Sequence, residues 1–421
     1  MLLTLDIEKT TAGGRMLARH QGHVVLVSGA IPGERVTARV ERTGKGVAFA
    51  EVVDVLSASP DRRPVTGDSR CGGNLLAHVD YARQLRLKGE IVQDAFGRIG
   101  RLPIPEAPRV IGSPERGYRM RARLHVKDGR IGFYLEGSRR LCDVASTGQL
   151  LPATVDWIAA AARALVEKHL TGVCAIELAE NMAGDERACH LELSSGIDAQ
   201  PYAVLSAGLV GLSAQRADRP GVVRLAGTPV VTDTIRTGDE SSAALTLRRD
   251  VRAFFQGNRY LLERLVRLVA DLAVSGPVLD LYAGVGLFGL SLAAAGKGPI
   301  TLVEGDPVSG ADLESNAKPF GDGVSIARGR VEIFLASASR ADLADATFIV
   351  DPPRTGLSKE ATGDILRLSP RRIVYVSCDV ATLARDTRAL LDAGYRLDSL
   401  AGIDLFPNTA HVETIAAFSR A

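Results

Sequence analysis

From about residue 245 onward, short apolar strand segments alternate with helical segments. The strands read PVLDLYA, PITLVEGD, ATFIVDPPR and RIVYVSCD, and GLFGLSLAAAG is one of the helical segments between them. Continuous apolar strands of this kind are buried on both faces, which is typical of a parallel sheet covered by helices. The sequence therefore predicts a doubly wound α/β sheet, with a ligand crevice at the carboxyl ends of its strands.

The first of these strands leads into a glycine-rich turn, DLYAGVGLFG, which begins at Asp280. Gly284 and Gly286 stand where the backbone must turn sharply and let a ligand approach a helix N-terminus. The same pattern fits dinucleotide cofactors and a nicotinamide-dependent oxidoreductase. Asp280 before the turn and Glu304 at the end of the next strand favour S-adenosylmethionine, whose ribose hydroxyls suit a carboxylate.

Two further strand ends bring a carboxylate and a thiol to the same crevice. Asp351 ends one strand in DPPR, where two prolines fix the backbone, and Cys378 ends the next strand in VSCD. A thiolate that adds to carbon 6 of uracil makes carbon 5 nucleophilic enough to accept a methyl group. We therefore predict Cys378 as the nucleophile. An N-capping role for Asp351 and a packing role for Cys378 are the structural alternatives.

The covalent intermediate of such a reaction needs a base that removes the carbon-5 proton. Glu413, in NTAHVETIAAF, lies at the start of an apolar strand, where its pKa should be raised. We predict Glu413 as the general base, with an ordinary edge-strand acid as the alternative. His411 could orient it or serve a structural purpose.

The part of the chain before residue 245 has a different texture. Residues 1–58 show period-two alternation broken by glycine turns, which predicts a small β-barrel. A polar linker, SASPDRRPVTGDSR, follows it. Residues 65–240 combine helical segments such as YARQLRLKGEIVQDAFGRIG with hairpins and predict an α+β unit. The expected domains are 1–58, 65–240 and 245–421.

Composition narrows the class of protein further. The formal net charge is only +2 over 421 residues, so a nucleic-acid partner must be bound by a local basic patch. Five irregularly spaced cysteines argue against a disulfide framework and for a reducing compartment. No apolar stretch reaches the roughly 18 residues that cross a membrane, and the start lacks a leader pattern. We expect a monomer in the cytoplasm without a membrane anchor.

One predicted strand carries a candidate RNA surface. Arg119, Arg121 and Arg123 alternate in YRMRARLHVK, and alternate residues of a strand share one face. Such a row suits contact with phosphates. A solvated sheet face is the alternative interpretation.

Taken in order, FFQGN, LDLYAGVGLFGL, VEGD, DPPRTGL, IVYVSCD and DLFPNTAHVE resemble the motifs of the RNA uracil-C5 methyltransferases. These S-adenosylmethionine-dependent enzymes form 5-methyluridine, and the resemblance covers nearly the whole chain. It implies a Rossmann-like methyltransferase domain, with Cys378 as nucleophile and Glu413 as base. It also implies a cofactor and target pocket formed by Gln256, Tyr282, Glu304 and Asp351.

Residues 1–58, with LVSGAIPGERV, resemble the RNA-binding TRAM barrel, which is typical of the ribosomal-RNA branch of this family. The resemblance therefore favours 23S ribosomal RNA as the substrate, with the target uridine flipped from its stack. The T-loop uridine of transfer RNA is the alternative. A non-catalytic RNA-binding or ribosome-assembly protein with a relict fold is a second alternative. The intact Cys378, Asp351 and Glu413 argue against it.

The chain departs from the family at several positions. Many TRAM-bearing members hold an iron–sulfur cluster on four cysteines. In VTGDSRCGGN, Cys71 matches the second ligand while Val65 and Asn74 replace the first and third, and Cys142 resembles the fourth. Two thiolates cannot supply four ligands, so we expect neither a cluster nor another metal. Asn408 in place of a usual Gln and Arg330 near the adenine side are further departures.

Overall fold

The computed structural model describes residues 1–65, 67–237 and 244–420. The strands are β1 (Leu2–Thr10), β2 (Met16–His20), β3 (His23–Ser28), β4 (Arg35–Gly44), β5 (Val47–Ser57), β6 (Val110–Ile111), β7 (Arg121–Lys127), β8 (Arg130–Tyr134), β9 (Leu141–Cys142), β10 (Val173–Glu180), β11 (Arg187–Leu193), β12 (Gly211–Arg216), β13 (Val223–Gly227), β14 (Val230–Arg236), β15 (Ala244–Asp250), β16 (Val278–Leu281), β17 (Ile300–Glu304), β18 (Val324–Arg328), β19 (Thr347–Val350), β20 (Arg372–Ser377), β21 (Tyr395–Ile403) and β22 (Glu413–Arg420). The α-helices are α1 (Tyr81–Arg98), α2 (Pro152–Glu167), α3 (Leu262–Leu272), α4 (Leu287–Ala294), α5 (Pro307–Ala317), α6 (Val331–Ser337), α7 (Arg340–Leu343), α8 (Lys359–Leu368) and α9 (Val380–Asp392).

The first five strands close into a barrel in the order β1-β2-β3-β5-β4. Alternation explains its core: Leu3, Leu5 and Ile7 of β1 are buried, whereas the residues between them are exposed. Strand β1 pairs with both β2 and β4, which closes the barrel and leaves none of its five strands as an edge strand. The predicted N-terminal β-barrel is confirmed.

A seven-stranded sheet occupies the middle of the chain, in the order β13-β12-β11-β10-β7-β8-β9. Asp128 and Gly129, both with positive φ, make the tight turn between β7 and β8 that the Asp-Gly pair predicts. Helix α2 packs its apolar face, including Trp157 and Ile158, into the core beneath this sheet. The α+β character predicted for this region is confirmed.

The C-terminal sheet has eight strands in the order β18-β17-β16-β19-β20-β22-β21-β6. Strands β16 to β20 are parallel. Successive side chains of one strand pack into two different hydrophobic cores, one on each face of the sheet. Phe348 packs into the core that contains α8 and α9, whereas Ile349 packs into the core that contains α3 and α4. Helices thus cover both faces, and the doubly wound α/β sheet is confirmed.

Three details differ from the sequence-based expectation. Strand β22 is antiparallel to both β20 and β21, so the sheet is mixed. Strand β6 and helix α1 fall within the predicted middle unit, yet β6 pairs with β21 and α1 packs against α9. Strands β14 and β15 pair across the predicted boundary, whose residues 238–243 lie outside the described part. The division at 1–58, 65–240 and 245–421 stays a prediction.

Candidate active site

Strand pairing brings the predicted nucleophile and base together. Cys378 directly follows β20, and Glu413 is the first residue of β22. Ser377 is opposed to Thr414 at the end of this antiparallel ladder, so Cys378 directly follows, and Glu413 directly precedes, the two members of its last pair. The charge of Glu413 raises the pKa of the Cys378 thiol, as expected of a carboxylate near it. The reversed direction of β22 is therefore what sets the carboxylate beside the thiol.

The environment of Glu413 favours a proton on its carboxyl group. The residue is 3% exposed. Burial raises its pKa well above the usual range, the charge of Asp351 adds to the rise, and Arg354 opposes it. A carboxylate with a raised pKa is a stronger proton acceptor than an exposed one.

Cys378 is half-buried, and burial raises the pKa of its thiol to about 11. The charges of Glu413 and Asp351 act in the same direction, whereas the Arg354 guanidinium lowers the pKa. Arg354 is exposed and ends the DPPR segment. Its role as the cation beside the thiol escaped the sequence analysis. The only available signal was its position three residues after Asp351 in that motif.

Asp351 and Gln256, predicted to share a pocket, are in contact. The Gln256 Nε2 donates a hydrogen bond to the Asp351 Oδ2 at 3.2 Å. Burial raises the pKa of Asp351 to about 7, and the Gln256 hydrogen bond opposes that rise. Asp351 does not cap the next helix, since Ser358 fills the N-cap position of α8. Phe254, two residues before Gln256, is 60% exposed, and the Arg121 guanidinium lies 5.8 Å from its ring centroid.

The glycine-rich turn between β16 and α4 is tightly constrained. Tyr282, Gly284 and Gly286 have φ values of 63°, 58° and 99°. A Cβ on Gly286 would lie 2.5 Å from a Leu290 methyl carbon, so packing requires glycine there. A Cβ on Gly284 would meet no atom within 4 Å. The backbone at Gly284 thus faces open space, while the backbone at Gly286 faces protein.

Two buried acids support this turn. Glu304 is 8% exposed and accepts a hydrogen bond from the Gly284 backbone N–H at 2.7 Å. Asp280 is fully buried, its Oδ2 accepts from the Gly289 N–H at 2.8 Å, and its Oδ1 has no partner in the described part of the chain. Burial raises the pKa of Glu304, and it raises the pKa of Asp280 to about 8. The open face at Gly284 and the carboxylate at Glu304 together fit a polar cofactor.

Helix α1 and the linker position the segment that precedes Glu413. Lys88 of α1 forms a fully buried ion pair with Asp404, which also accepts a hydrogen bond from the Tyr81 hydroxyl at 3.0 Å. The Asn408 side-chain oxygen accepts from the Gln84 Nε2 and from an Arg63 guanidinium nitrogen, each at 2.9 Å. These contacts join segments 316 to 345 positions apart in sequence, so no local pattern predicted them.

Two residues noted in the sequence have a peripheral place. His411 is exposed, and its ring meets the edge of Phe406 with centroids 6.2 Å apart. Within the described ranges, no hydrogen bond joins His411 to Glu413. Arg330 is largely exposed and pairs with Glu332 at 3.4 Å.

The three arginines predicted to contact RNA differ in their surroundings. Arg119 donates to the Gln149 Oε1 at 2.7 Å and lies near the Phe133 ring. Arg123 is neutralised by two carboxylates on neighbouring strands, Glu177 and Glu192. Arg121 is held less firmly, with Glu177 at 3.7 Å. The RNA role of all three stays a prediction, and Arg121 is the one beside the exposed Phe254.

Cys71 and Cys142 form a disulfide, with Cα atoms 5.8 Å apart. This differs from the expectation of unpaired cysteines. The hairpin of β8 and β9 brings Cys142 next to the loop that carries Cys71, a proximity that spacing in the sequence does not reveal. Across residues 1–65, 67–237 and 244–420, no group of three or more His, Cys, Asp or Glu side chains is arranged to hold a metal ion. No helix in these ranges is long and apolar enough to cross a membrane.

The chain is similar in sequence to known proteins along its length. Residues 2–53 match the family model of the TRAM domain, and residues 325–420 match that of tRNA (Uracil-5-)-methyltransferase. The chain is 33% identical to 23S rRNA (uracil(1939)-C(5))-methyltransferase RlmD of Pseudomonas aeruginosa, over 98% of this chain and 93% of the relative. It is 35% identical to the protein of the same name from Chromohalobacter salexigens, over 99% of this chain and 89% of the relative.

A solved structure has the same fold over almost the entire length. The Pyrococcus abyssi tRNA (uracil-54, C5)-methyltransferase, in complex with S-adenosyl-L-homocysteine, superposes with a TM-score of 0.78. The two chains are 23% identical, and 99% of each is covered. On the full-length identity to the two 23S rRNA enzymes and on its N-terminal barrel, this chain belongs to the S-adenosylmethionine-dependent RNA uracil-C5 methyltransferase family, in the branch that carries a TRAM domain.

Proposed function

We propose that this enzyme methylates carbon 5 of one uridine in 23S ribosomal RNA through a covalent adduct with Cys378. The observation that carries the mechanism is the end of the antiparallel ladder of β20 and β22, where Cys378 and Glu413 adjoin the last pair and the charges of Glu413 and Arg354 both act on the thiol. A thiol and a carboxyl group on the same face can attack and deprotonate adjacent carbons of one flat ring. A relict, non-catalytic fold would not require this pairing.

When bound, S-adenosylmethionine would supply the methyl group, which it carries on a sulfonium sulfur. The open backbone at Gly284 gives it a close approach, and Glu304 at the end of β17 would accept hydrogen bonds from its ribose hydroxyls. The left-handed conformation of Tyr282 sets the direction of the chain into this turn. Gln256 and Asp351 would line the space between cofactor and uracil.

The protein's own groups carry out the remaining steps. The Cys378 thiolate adds to carbon 6, and the electron pair of the carbon 5–carbon 6 double bond moves toward the carbonyl oxygen at carbon 4. The carbonyl at carbon 4 then re-forms as carbon 5 bonds to the methyl group, whose bond to the sulfonium sulfur would break to leave a neutral thioether. Glu413 removes the carbon-5 proton, the double bond re-forms, and the carbon–sulfur bond breaks to release the thiolate.

Ribosomal RNA is favoured as the substrate because the relatives that match over the full length are named for a 23S rRNA uridine. The match to a model described for tRNA keeps the T-loop uridine as the second candidate. Either substrate would place the enzyme in the cytoplasm. We propose a monomer there, bound to RNA through the barrel and the face that carries Arg121.

The decisive experiment uses RNA in which 5-fluorouridine replaces uridine. Fluorine cannot leave carbon 5 as a proton does, so the methylated adduct should remain attached to Cys378 and be visible by intact-protein mass spectrometry. Two RNAs are tested separately with S-adenosylmethionine. One is a segment of 23S rRNA that contains uracil 1939, for which the relatives are named, and the other is a tRNA transcript. We expect an adduct with the rRNA segment only.

Two variants serve as controls. Cys378→Ala should give no adduct, and Glu413→Gln should accumulate adduct with ordinary uridine because elimination requires loss of the carbon-5 proton. An adduct with tRNA alone would move the proposal to the T-loop uridine. Absence of adduct with both RNAs, in a protein that binds S-adenosylmethionine by calorimetry, would refute the proposed chemistry.

A further inference from the structure

Several arginines lie close together at one end of the strands of the C-terminal sheet, the end opposite to the active site. Arg371, Arg372, Arg396 and Arg420 line a cavity of about 720 Å³ together with Asp398. We call this cavity the basic groove. Four guanidinium groups and one carboxylate give its lining a charge of +3, against +2 for all 421 residues.

Strand register explains why these residues meet. Arg372 begins β20 and is opposed to Ser419, which is in turn opposed to Arg396 on the other side of β22. Arg420 is the next residue of β22, and its backbone N–H bonds to the Arg371 carbonyl oxygen. Strand β22, which brings Glu413 close to Cys378 at one of its ends, therefore brings the arginines together at its other end.

The positive charge of the basic groove is only partly compensated. Asp398 pairs with two arginines at once, Arg372 at 2.7 Å and Arg396 at 2.8 Å. The Arg420 guanidinium donates to the Ser369 carbonyl oxygen at 2.9 Å, and no carboxylate of residues 1–65, 67–237 and 244–420 pairs with it. Among the same residues, none accepts a hydrogen bond from the buried Arg372 Nε. Guanidinium groups in excess of carboxylates suit bidentate contact with phosphate oxygens.

We propose that the basic groove binds the phosphate backbone of a duplex arm that flanks the target uridine. This inference rests on the proposed function, which makes RNA the substrate. Arg372 lies six positions before Cys378, a span of about 20 Å along β20. At roughly 3.4 Å per base pair, a stem of fewer than about six base pairs is too short to cover this span, whereas an arm of about 20 base pairs is long enough. The groove thus selects extended, ribosomal-type RNA over short stem–loops.

The test compares a short transcript, containing only the target hairpin, with a long one that adds a 20-base-pair arm. The variant is the double substitution Arg371→Gln and Arg420→Gln. Its matched control is Arg264→Gln with Arg267→Gln, which removes two exposed arginines from α3. For the long RNA, loss of two phosphate contacts should lower the slope of log Kd against log salt concentration by about one to two. KM for this RNA should rise about tenfold with kcat unchanged.

The short RNA should bind and react equally with all proteins, and Arg371→Lys with Arg420→Lys should recover most of the salt dependence. Equal loss for both RNAs, equal loss in the α3 control, or no loss at all would overturn the basic groove as an RNA site. If the unaltered enzyme methylates neither RNA, the proposed function fails. The binding comparison between long and short RNA still decides the groove in that case.

Discussion

At Cys378, burial and two neighbouring carboxylates oppose formation of a thiolate, and one guanidinium favours it. In the proposed reaction the thiolate is the attacking species, so that reaction would depend on the cation and on the proton acceptor beside it. Arg354 is exposed in the free enzyme, which leaves it able to meet RNA phosphate as well as sulfur. Reactivity at this residue is thus set by the balance of its charged neighbours.

This balance predicts the alkylation behaviour of the thiol. With a pKa of about 11, the thiolate fraction of Cys378 rises about tenfold per pH unit, so iodoacetamide should modify it increasingly between pH 7 and pH 9. Arg354→Ala should slow alkylation at each pH, because the pKa rises further, and Arg354→Lys should keep most of the rate. Peptide mass spectrometry measures this, with exposed Cys174 as the internal reference. An unchanged rate in Arg354→Ala would remove Arg354 from this role.

The sequence predicts that the candidate reactive residues lie at strand ends more readily than it predicts their surroundings. Cys378, Asp351 and Glu413 follow or begin apolar strands, and a strand end can be recognised from local pattern alone. Arg354 belongs to the same motif, yet the direction of its side chain depends on the turn in which it sits. The contact of Asn408 with Gln84 joins distant segments, and local patterns carry no information on such pairs.

At the scale of elements, helix α1 holds the segment that leads into β22. Lys88 and Asp404 are both fully buried, and Lys88 also donates to the Phe406 carbonyl oxygen at 3.0 Å. A buried charge without its partner is costly, whereas replacement of both partners by apolar groups is often neutral. The ion pair therefore fixes the geometry of the segment more than it adds net stability.

A double-mutant cycle tests this role. Lys88→Met leaves Asp404 buried without its cation and should lower the free energy of unfolding by about 3–5 kcal/mol. It should also lower kcat, because the segment before Glu413 loses its anchor. Lys88→Met combined with Asp404→Leu should regain most of the stability, as measured by urea denaturation. A stable single variant with full kcat would contradict the anchoring role.

The order of elements shows what a sequence can and cannot predict. The alternation of apolar strands and helices predicted the parallel part of the sheet because each strand carries its own burial pattern. The reversal of β22, the pairing of β6 with β21 and the hairpin of β14 and β15 are properties of pairs of segments. Composition of a single segment does not encode which partner it takes.

At the scale of the whole molecule, buried ionic contacts join the middle sheet to the C-terminal part. Glu180 at the end of β10 pairs with Arg187 of β11 and with Arg259, which precedes α3. Arg249 of β15 pairs with Asp233 of β14 at 2.7 Å and donates to the Glu180 carbonyl oxygen. These contacts hold the sheet that carries Arg121 in a fixed relation to the catalytic crevice.

The disulfide acts at the same scale, since it closes a long loop between the linker and the middle sheet. Cys71 and Cys142 are 71 positions apart, and the chain-entropy model gives such a cross-link about 4 kcal/mol. Reduction should therefore destabilise the protein toward urea, while Cys71→Ser with Cys142→Ser should not respond to reductant. Thiol titration of the denatured protein should find three free cysteines before reduction and five after. Five before reduction would contradict the disulfide.

The position of β22 between β20 and β21 determines the stage of folding at which the active site is complete. Both neighbours precede β22 in the chain, so it completes the sheet either by entering a gap or by arriving as a hairpin with β21. The proposed nucleophile and base come together only after this long-range pairing, and long-range pairings form slowly. Methyl transfer is therefore a property of the finished sheet, and a half-folded chain presents a thiol with no base beside it.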